Sequence, residues 1–248
     1  MQYSYIFLSF KNIIPPMNKN HTLGVIVPIY NEEKYLKESV NRLLKVGIFS
    51  QIILVDDNST DSSFEIANSF SQEHLQIIAI KTNNNEGKGN AVTTGAKKIT
   101  TDYLIVHDAD LEYFPSDIPD LYQESVNYPT SLILGSRVLG DKERTNIYYY
   151  TYLGNKIFAK IFSILNRVEI SDIASCYWLI KVDQFMRLNI DEKGFAIEVE
   201  VLSKFLKTGN QIREVPIKYS ARSYQQGKKI KFKDAIAILQ KIVKYRFL

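Results

Sequence analysis

The sequence predicts an α/β fold: a mostly parallel sheet with helices on both faces. Three observations predict it. Apolar runs of strand length alternate with segments of helical periodicity through the first half of the chain. The runs are continuously apolar, as buried strands are. Polar or acidic residues follow several runs at once, where parallel sheets gather ligand-binding loops. The 248 residues, 45% hydrophobic and 23% charged, allow one large core, or a domain with an extension.

Residues 23–29 form the first buried strand. A helix follows, with Tyr35, Leu36, Val40, Leu43 and Leu44 on one stripe. Residues 51–55 form the second strand, stopped by Asp56-Asp57-Asn58. Asn58, Ser59 or Thr60 caps the next helix, whose apolar face holds Phe64, Ala67 and Phe70. Residues 75–80 are the third strand, 83–89 a loop, and a short helix runs to about Lys98. Residues 103–106 are the fourth strand, Pro115 opens a helix to Asn127, and 131–134 is another strand. Beyond residue 140 the rhythm loosens. Residues 148–165 read as an aromatic-rich helix or helix pair, 176–181 as a strand, 196–207 as a helix and 211–217 as extended. Residues 232–245 read as an amphipathic helix burying Ile236, Leu239, Ile242 and Val243.

The formal charge of +4 is concentrated late, in Lys228, Lys229, Lys231, Lys233, Lys241, Lys244 and Arg246. Such a region suits phosphates, an anionic membrane face or simple solvation. Cys176 is the single cysteine, which excludes an internal disulfide and a cysteine zinc site and fits a cytoplasmic location. Residues 3–10 are apolar but too short to span a bilayer, and Met17 is a second candidate start.

The sharpest local signal is the tip of the fourth strand, His107-Asp108-Ala109-Asp110-Leu111-Glu112. Three carboxylates this close must share a cation or a proton. Hard oxygen ligands suit Mg2+ or Mn2+, ions that also grip substrate phosphates. Asn31-Glu32-Glu33 and Asp56-Asp57 end the first two strands and would share the same sheet edge.

Five motifs in order make the pattern specific: Val27-Pro28-Ile29-Tyr30-Asn31-Glu32, Val55-Asp56-Asp57-Asn58-Ser59-Thr60-Asp61, Gly87-Lys88-Gly89, His107 to Glu112, and Gly135-Ser136-Arg137. Together they resemble family 2 glycosyltransferases of the GT-A fold, over about residues 22–248. The nearest resemblance is to the dolichol-phosphate mannosyltransferase-like, polyprenyl-phosphate sugar transferase subgroup. Glu214 to Tyr219, Arg222 and Gly227 to Ile230 also match that subgroup. The resemblance implies a metal-dependent, inverting transfer from a UDP- or GDP-sugar donor to a polyprenyl-phosphate or glycan acceptor. Residues 1–21 then read as an N-terminal extension and 22–248 as a single domain. Its nucleotide-sugar half is 22–140. Its acceptor half is 141–248, with a basic C-terminal helix.

Residue by residue, the resemblance implies that Pro28, Tyr30 and Glu32 line the nucleotide pocket and that Asp57 or Asp56 accepts a hydrogen bond from the base. An Asx-turn is the bland alternative for Asp57. Asp110 resembles the main metal ligand, with Asp108 near the ribose or the metal and Glu112 as a further ligand. Lys88 reaches the donor, or lies in a plain flexible loop. Arg137, Arg222, Lys228 and Lys229 are candidate phosphate clamps. Asp172, in the motif Ser171 to Tyr177, is a general base or an acceptor-loop anchor. Glu198 and Glu200 are weaker candidates. Tyr148, Tyr149, Tyr150, Tyr152 and Phe158 line a prenyl or sugar groove, or simply form helix core and rim.

The sequence ends at Leu248 without the C-terminal membrane helices many of that subgroup carry. A lipid-phosphate acceptor therefore implies peripheral docking at the inner face of the membrane through the basic, amphipathic end. The first strand is not followed by Gly-x-Gly-x-x-Gly, and no P-loop spacing occurs, which argues against dinucleotide oxidoreductases and P-loop enzymes. The alternatives are a sugar-nucleotidyltransferase, disfavoured by Tyr30-Asn31-Glu32 after the first strand, and a non-catalytic nucleotide-binding module. Nucleic acid is not an expected partner, since the acidic crevice repels a phosphate backbone.

Overall fold

The computed structural model describes residues 21–145, 148–222 and 232–247, with side chains for all of these but 149, 150 and 232–237. Residues 1–20, and with them Met17, lie outside the described residues, as do Lys228 and Lys229. The elements are β1 (Leu23–Ile29), α1 (Leu36–Val46), β2 (Phe49–Asp56), α2 (Ser63–Glu73), β3 (Ile77–Lys81), α3 (Lys88–Ala96) and β4 (Tyr103–Val106). A 3-10 turn (Pro115–Asp117) leads into α4 (Ile118–Asn127), β5 (Leu132–Ser136), β6 (Arg144–Thr145), α5 (Tyr149–Asn166) and β7 (Trp178–Lys181). Then come α6 (Val182–Arg187), α7 (Ile197–Lys207), β8 (Ile212–Pro216), β9 (Tyr219–Ser220) and α8 (Phe232–Phe247).

Seven strands form one sheet in the order β3-β2-β1-β4-β7-β5-β8, and β6 pairs with β9 in a small second sheet. All pairings in the large sheet are parallel except those of β7, which runs antiparallel to both β4 and β5. Alternation within the strands divides the core. Ile26, Ile53, Val55, Leu104 and Val106 face one side, under Ala91 and Val92 of α3, Phe162 of α5, Val201 of α7 and Ile242 of α8. Val25, Val27, Ile52, Leu54 and Ile105 face the other, under Val40 of α1, Ala67 of α2 and Leu121 of α4. The expected architecture, helices on both faces of a mostly parallel sheet, is the one observed.

Several local expectations change. β7 is antiparallel, a direction no periodicity reveals. Residues 148–165 are one helix, not a pair, and α6, β6 and β9 are additions. The cap of α2 is Ser62, beyond the three expected residues, and its side chain makes no capping bond. The backbone N–H of Ser62 is instead met by Glu33 and that of Ser63 by Asp61. On α8, Ile242 is buried, but Leu239 and Val243 are 38% and 45% exposed. The inward stripe is Ile238, Ile242 and Tyr245, so residues 239 and 243 fall on the opposite side. The Ile236 side chain lies outside those described.

Candidate functional site

β1, β2, β4 and β5 all end on one edge of the sheet. Because β7 runs the other way, the segment entering it, from Asp172 to Tyr177, reaches that same edge. β8 is parallel to β5 and hands on Tyr219 and Arg222 there. The chain switches direction across β1: β2 and β3 lie to one side and β4 to the other, the arrangement that opens a crevice in such sheets. A cleft of about 860 Å³ occupies this position. Pro28, Tyr30, Glu32, Asp57, Lys88, Asp108, Asp110, Glu112, Arg137, Asp172 and Arg222 all line it. Loops separated by as many as 190 positions thus meet in one hollow.

Asp56 does not line the cleft. It is fully buried, and its Oδ1 accepts the N–H of Ser59 at 2.9 Å. The Asx-type turn considered for Asp57 is therefore made by Asp56. The Asp57 carboxylate accepts the N–H groups of Gly87 (2.6 Å) and Glu86 (3.3 Å), which fixes it at the cleft wall.

Lys88 belongs to the first turn of α3 rather than to a plain loop. Its ammonium lies 2.8 Å from Asp108 and 2.7 Å from Glu198. Burial pulls its pKa down, but the two carboxylates outweigh burial and hold it well above the usual lysine range. Asp108 is correspondingly held below the usual carboxylate range by Lys88, against the effect of burial. The neighbouring glycines serve contact with protein backbone. A Cβ at Gly89 would sit 2.0 Å from the carbonyl oxygen of Glu192, and one at Gly87 2.6 Å from that of Lys193.

The turn after β4 carries Leu111 at φ +65°, a left-handed conformation unusual for leucine. It lets the Glu112 N–H bond Asp110 Oδ1 at 3.1 Å. Burial, then the charges of Glu112 and Asp108, push the Asp110 carboxyl up to about 7 against the pull of Arg222. Glu112 accepts from the Tyr219 hydroxyl (2.6 Å) and the Arg222 N–H (2.8 Å). Asp108, Asp110 and Glu112 therefore do not form a three-carboxylate cage: among the described residues no group of three His, Cys, Asp or Glu converges as metal ligands. The reason is that Asp108 turns to Lys88 and Glu112 to Tyr219. Asp110 remains a hard oxygen donor in the cleft, its pKa raised by burial beside two further carboxylates. That fits an ion of the Mg2+ type, which takes one or two carboxylates and completes its shell with water and phosphate oxygens.

Arg137 and Asp172 form a fork: Nε donates to Oδ2 at 2.7 Å and NH2 to Oδ1 at 2.8 Å, while the Arg137 backbone N–H also donates to Oδ2. Asp172 is fully buried, and against burial the guanidinium holds its pKa low. This geometry favours the anchor role over the general base. Glu214 on β8 fixes the same loop through the N–H groups of Ser171 and Asp172. Glu200 is also fully buried, accepting from the Asp191 and Glu192 N–H groups, and it does not line the cleft; Glu198 does.

The far end of the cleft is apolar: Tyr148, Tyr152, Leu153, Ile157 and Phe158 meet Phe195 and Ile238. The side chains of Tyr149 and Tyr150 lie outside those described. Sequence reasoning missed Tyr113, Arg144 and Phe195 as lining residues and gave Tyr219 no role. Tyr113 and Tyr219 flank the Arg137 guanidinium at 5.8 and 5.0 Å. Only Tyr113 had a visible cue, its place directly after the acidic cluster.

Comparison with known proteins gives a consistent picture. A model of glycosyl transferase family 2 matches residues 24–188. A UDP-N-acetylglucosamine–dolichyl-phosphate N-acetylglucosaminyltransferase of Methanococcus voltae is 30% identical over 221 residues, 82% of this chain and 88% of the relative. A dolichol-phosphate mannosyltransferase of Pyrococcus furiosus is 27% identical over 214 residues, 83% of this chain; the match spans only 58% of that longer relative. The glucosyl-3-phosphoglycerate synthase of Mycobacterium tuberculosis, solved with Mn2+, UDP and glucosyl-3-phosphoglycerate, superposes with a TM-score of 0.73 at 12% identity. That likeness covers 93% of this chain and 81% of the synthase and is one of fold.

Proposed function

The chain belongs to glycosyl transferase family 2 and is a glycosyltransferase of the GT-A fold, and from that premise we propose that it transfers a sugar, with inversion, from a nucleoside-diphosphate sugar to a polyprenyl phosphate. The observation that carries this reading is a single cleft with two chemistries: carboxylates and arginines at the sheet edge, and an apolar corridor along α5. The relatives from M. voltae and P. furiosus, whose names specify dolichol-phosphate chemistry, support the same acceptor class.

In this reading Pro28, Tyr30 and Asp57 hold the base and ribose end of the donor, and Asp110 holds the divalent ion, Mg2+ or Mn2+, at the diphosphate. The ion supplies charge neutralisation for the leaving nucleoside diphosphate. Arg222 shares that task from the protein side, because guanidinium matches phosphate oxygens. Lys88 keeps Asp108 ionised and oriented. Arg137, braced by Asp172, faces the acceptor phosphate, which is already ionised near neutral pH and needs no general base.

Tyr152, Leu153, Ile157 and Phe158 receive the prenyl chain. The lipid reaches them from the membrane surface. α5 and α8 together carry six Lys or Arg against one Asp, and Leu239, Val243 and Phe247 form an exposed apolar stripe on α8. Such helices lie in an anionic interface. Among the described residues no helix is long and apolar enough to cross a membrane.

The test is transfer from UDP- and GDP-sugars to a short prenyl phosphate with Mn2+ or Mg2+. Asp110→Asn should lower kcat by about 10²-fold or more while melting like the wild type. Full activity in that variant rejects the assignment.

A further inference from the structure

We infer that Arg222 competes with the divalent ion for Asp110, so that the ion is admitted together with a diphosphate that takes Arg222 over. The inference rests on the donor site proposed above and adds an order of binding to it.

The Arg222 side chain is only 10% exposed and sits among three carboxylates. Its NH1 is 3.0 Å from Glu32, its NH2 3.1 Å from Asp110 Oδ2, and its Nε 3.9 Å from Glu112. The other Asp110 oxygen accepts the Glu112 N–H. Both oxygens of the best metal donor are therefore already engaged by the protein's own N–H groups. A dication coordinates a carboxylate oxygen at about 2.1 Å. At that range it would share the Asp110 carboxylate with the guanidinium, and two cations on one carboxylate repel each other. A diphosphate changes the balance. Its oxygens carry enough charge for both cations and can separate them.

A second observation points the same way. The Arg222 Nε is buried and makes no hydrogen bond among the described residues. A buried donor left unmet is costly, and a phosphate oxygen would satisfy it. The strand pairing supports a small movement: β9 ends at Ser220, and the N–H groups of Ser220 and Ala221 are held by Glu112 and Thr145. The Arg222 N–H is itself held by Glu112, so the backbone is fixed as far as Arg222, while the long side chain can pivot from carboxylate to phosphate.

The experiment measures Mn2+ binding directly, by calorimetry and by the electron spin resonance of the free ion, with and without UDP or GDP. In the wild type Mn2+ alone should bind weakly and a nucleoside diphosphate should tighten it by about tenfold or more, the equivalent of one charge-assisted contact. Arg222→Gln should bind Mn2+ alone about tenfold more tightly than wild type, and the gain from UDP or GDP should shrink. Asp110→Asn should abolish the gain in both backgrounds, placing the ion at that carboxylate. If Arg222→Gln fails to fold, Arg222→Lys carries the test, because one ammonium reaches fewer carboxylates and the shift keeps its direction. Unchanged or weaker binding of Mn2+ alone in the Arg222 variants overturns the inference and leaves the donor site standing. Failure of the wild type to bind UDP or GDP with Mn2+ sinks both.

Discussion

His107 is buried beside the acidic turn, with its ring nitrogens 3.1 Å from Ser39 Oγ and 2.8 Å from the Tyr177 hydroxyl. Burial, with help from Arg42 and Lys88, lowers its pKa to about 4 although Asp108 pulls it up. The folded state therefore keeps it neutral while the unfolded chain takes a proton below about 6.5. The unfolded state binds more protons across that window, so stability falls as pH drops from about 6.5 toward 4. Melting temperatures measured across this range should decline more steeply in wild type than in His107→Gln. Gly89 offers a test free of titration. Gly89→Ala drives a methyl into the Glu192 carbonyl and should cost about 2–3 kcal/mol in urea unfolding. The same loss should not follow at Gly154, where a Cβ meets nothing within 4 Å.

Among the elements, α5 divides its duties. Ala159 and Phe162 face the core, while Leu153 and Ile157 stay 41% and 50% exposed along the cleft. Residues at i and i+4 share one helix face, and here that face lines the cleft. If they receive a prenyl chain, Ile157→Ala should raise KM for a long-chain prenyl phosphate about five- to tenfold, through lost methylene contact, and leave donor affinity alone. A uniform change for short and long acceptors would reject that role. The strands show where sequence was legible. β1 and β4 appear with the expected bounds because their seven and four consecutive residues, nearly all apolar, are too short for a buried helix and end in polar turn residues. The direction of β7 was not legible. Trp178 to Ile180 are fully buried, and the orientation of β7 depends on partners Tyr103 to Ile105 and Ile133 to Leu134, far away in the chain.

At the scale of the molecule, the two halves are joined by ion pairs that the sequence could not disclose. The acidic residues announced the site because they cluster locally. Lys88 and Arg222 were legible as candidates too, but their pairings were not, since Lys88 finds Glu198 and Arg222 finds Glu32 only after folding. Lys88 is the clearest case. Read in sequence it either reaches the donor or lies in a plain loop; in the fold it fastens α3, the tip of β4 and α7 to one another. Lys88→Met leaves buried Glu198 and half-buried Asp108 without a counter-charge and should destabilise the protein by about 3 kcal/mol. Adding Glu198→Leu should return part of that loss in equilibrium unfolding.

The antiparallel strand also has a consequence for synthesis. As the chain leaves the ribosome, Tyr103 to Val106 can pair with β1 at once, but the opposite edge has no partner until residue 181 has emerged. At about 5–20 residues per second, an apolar edge stays open for seconds. Such an edge invites pairing with a neighbouring nascent chain, so the yield of soluble protein should depend more on chaperone supply during translation than on the stability of the finished sheet.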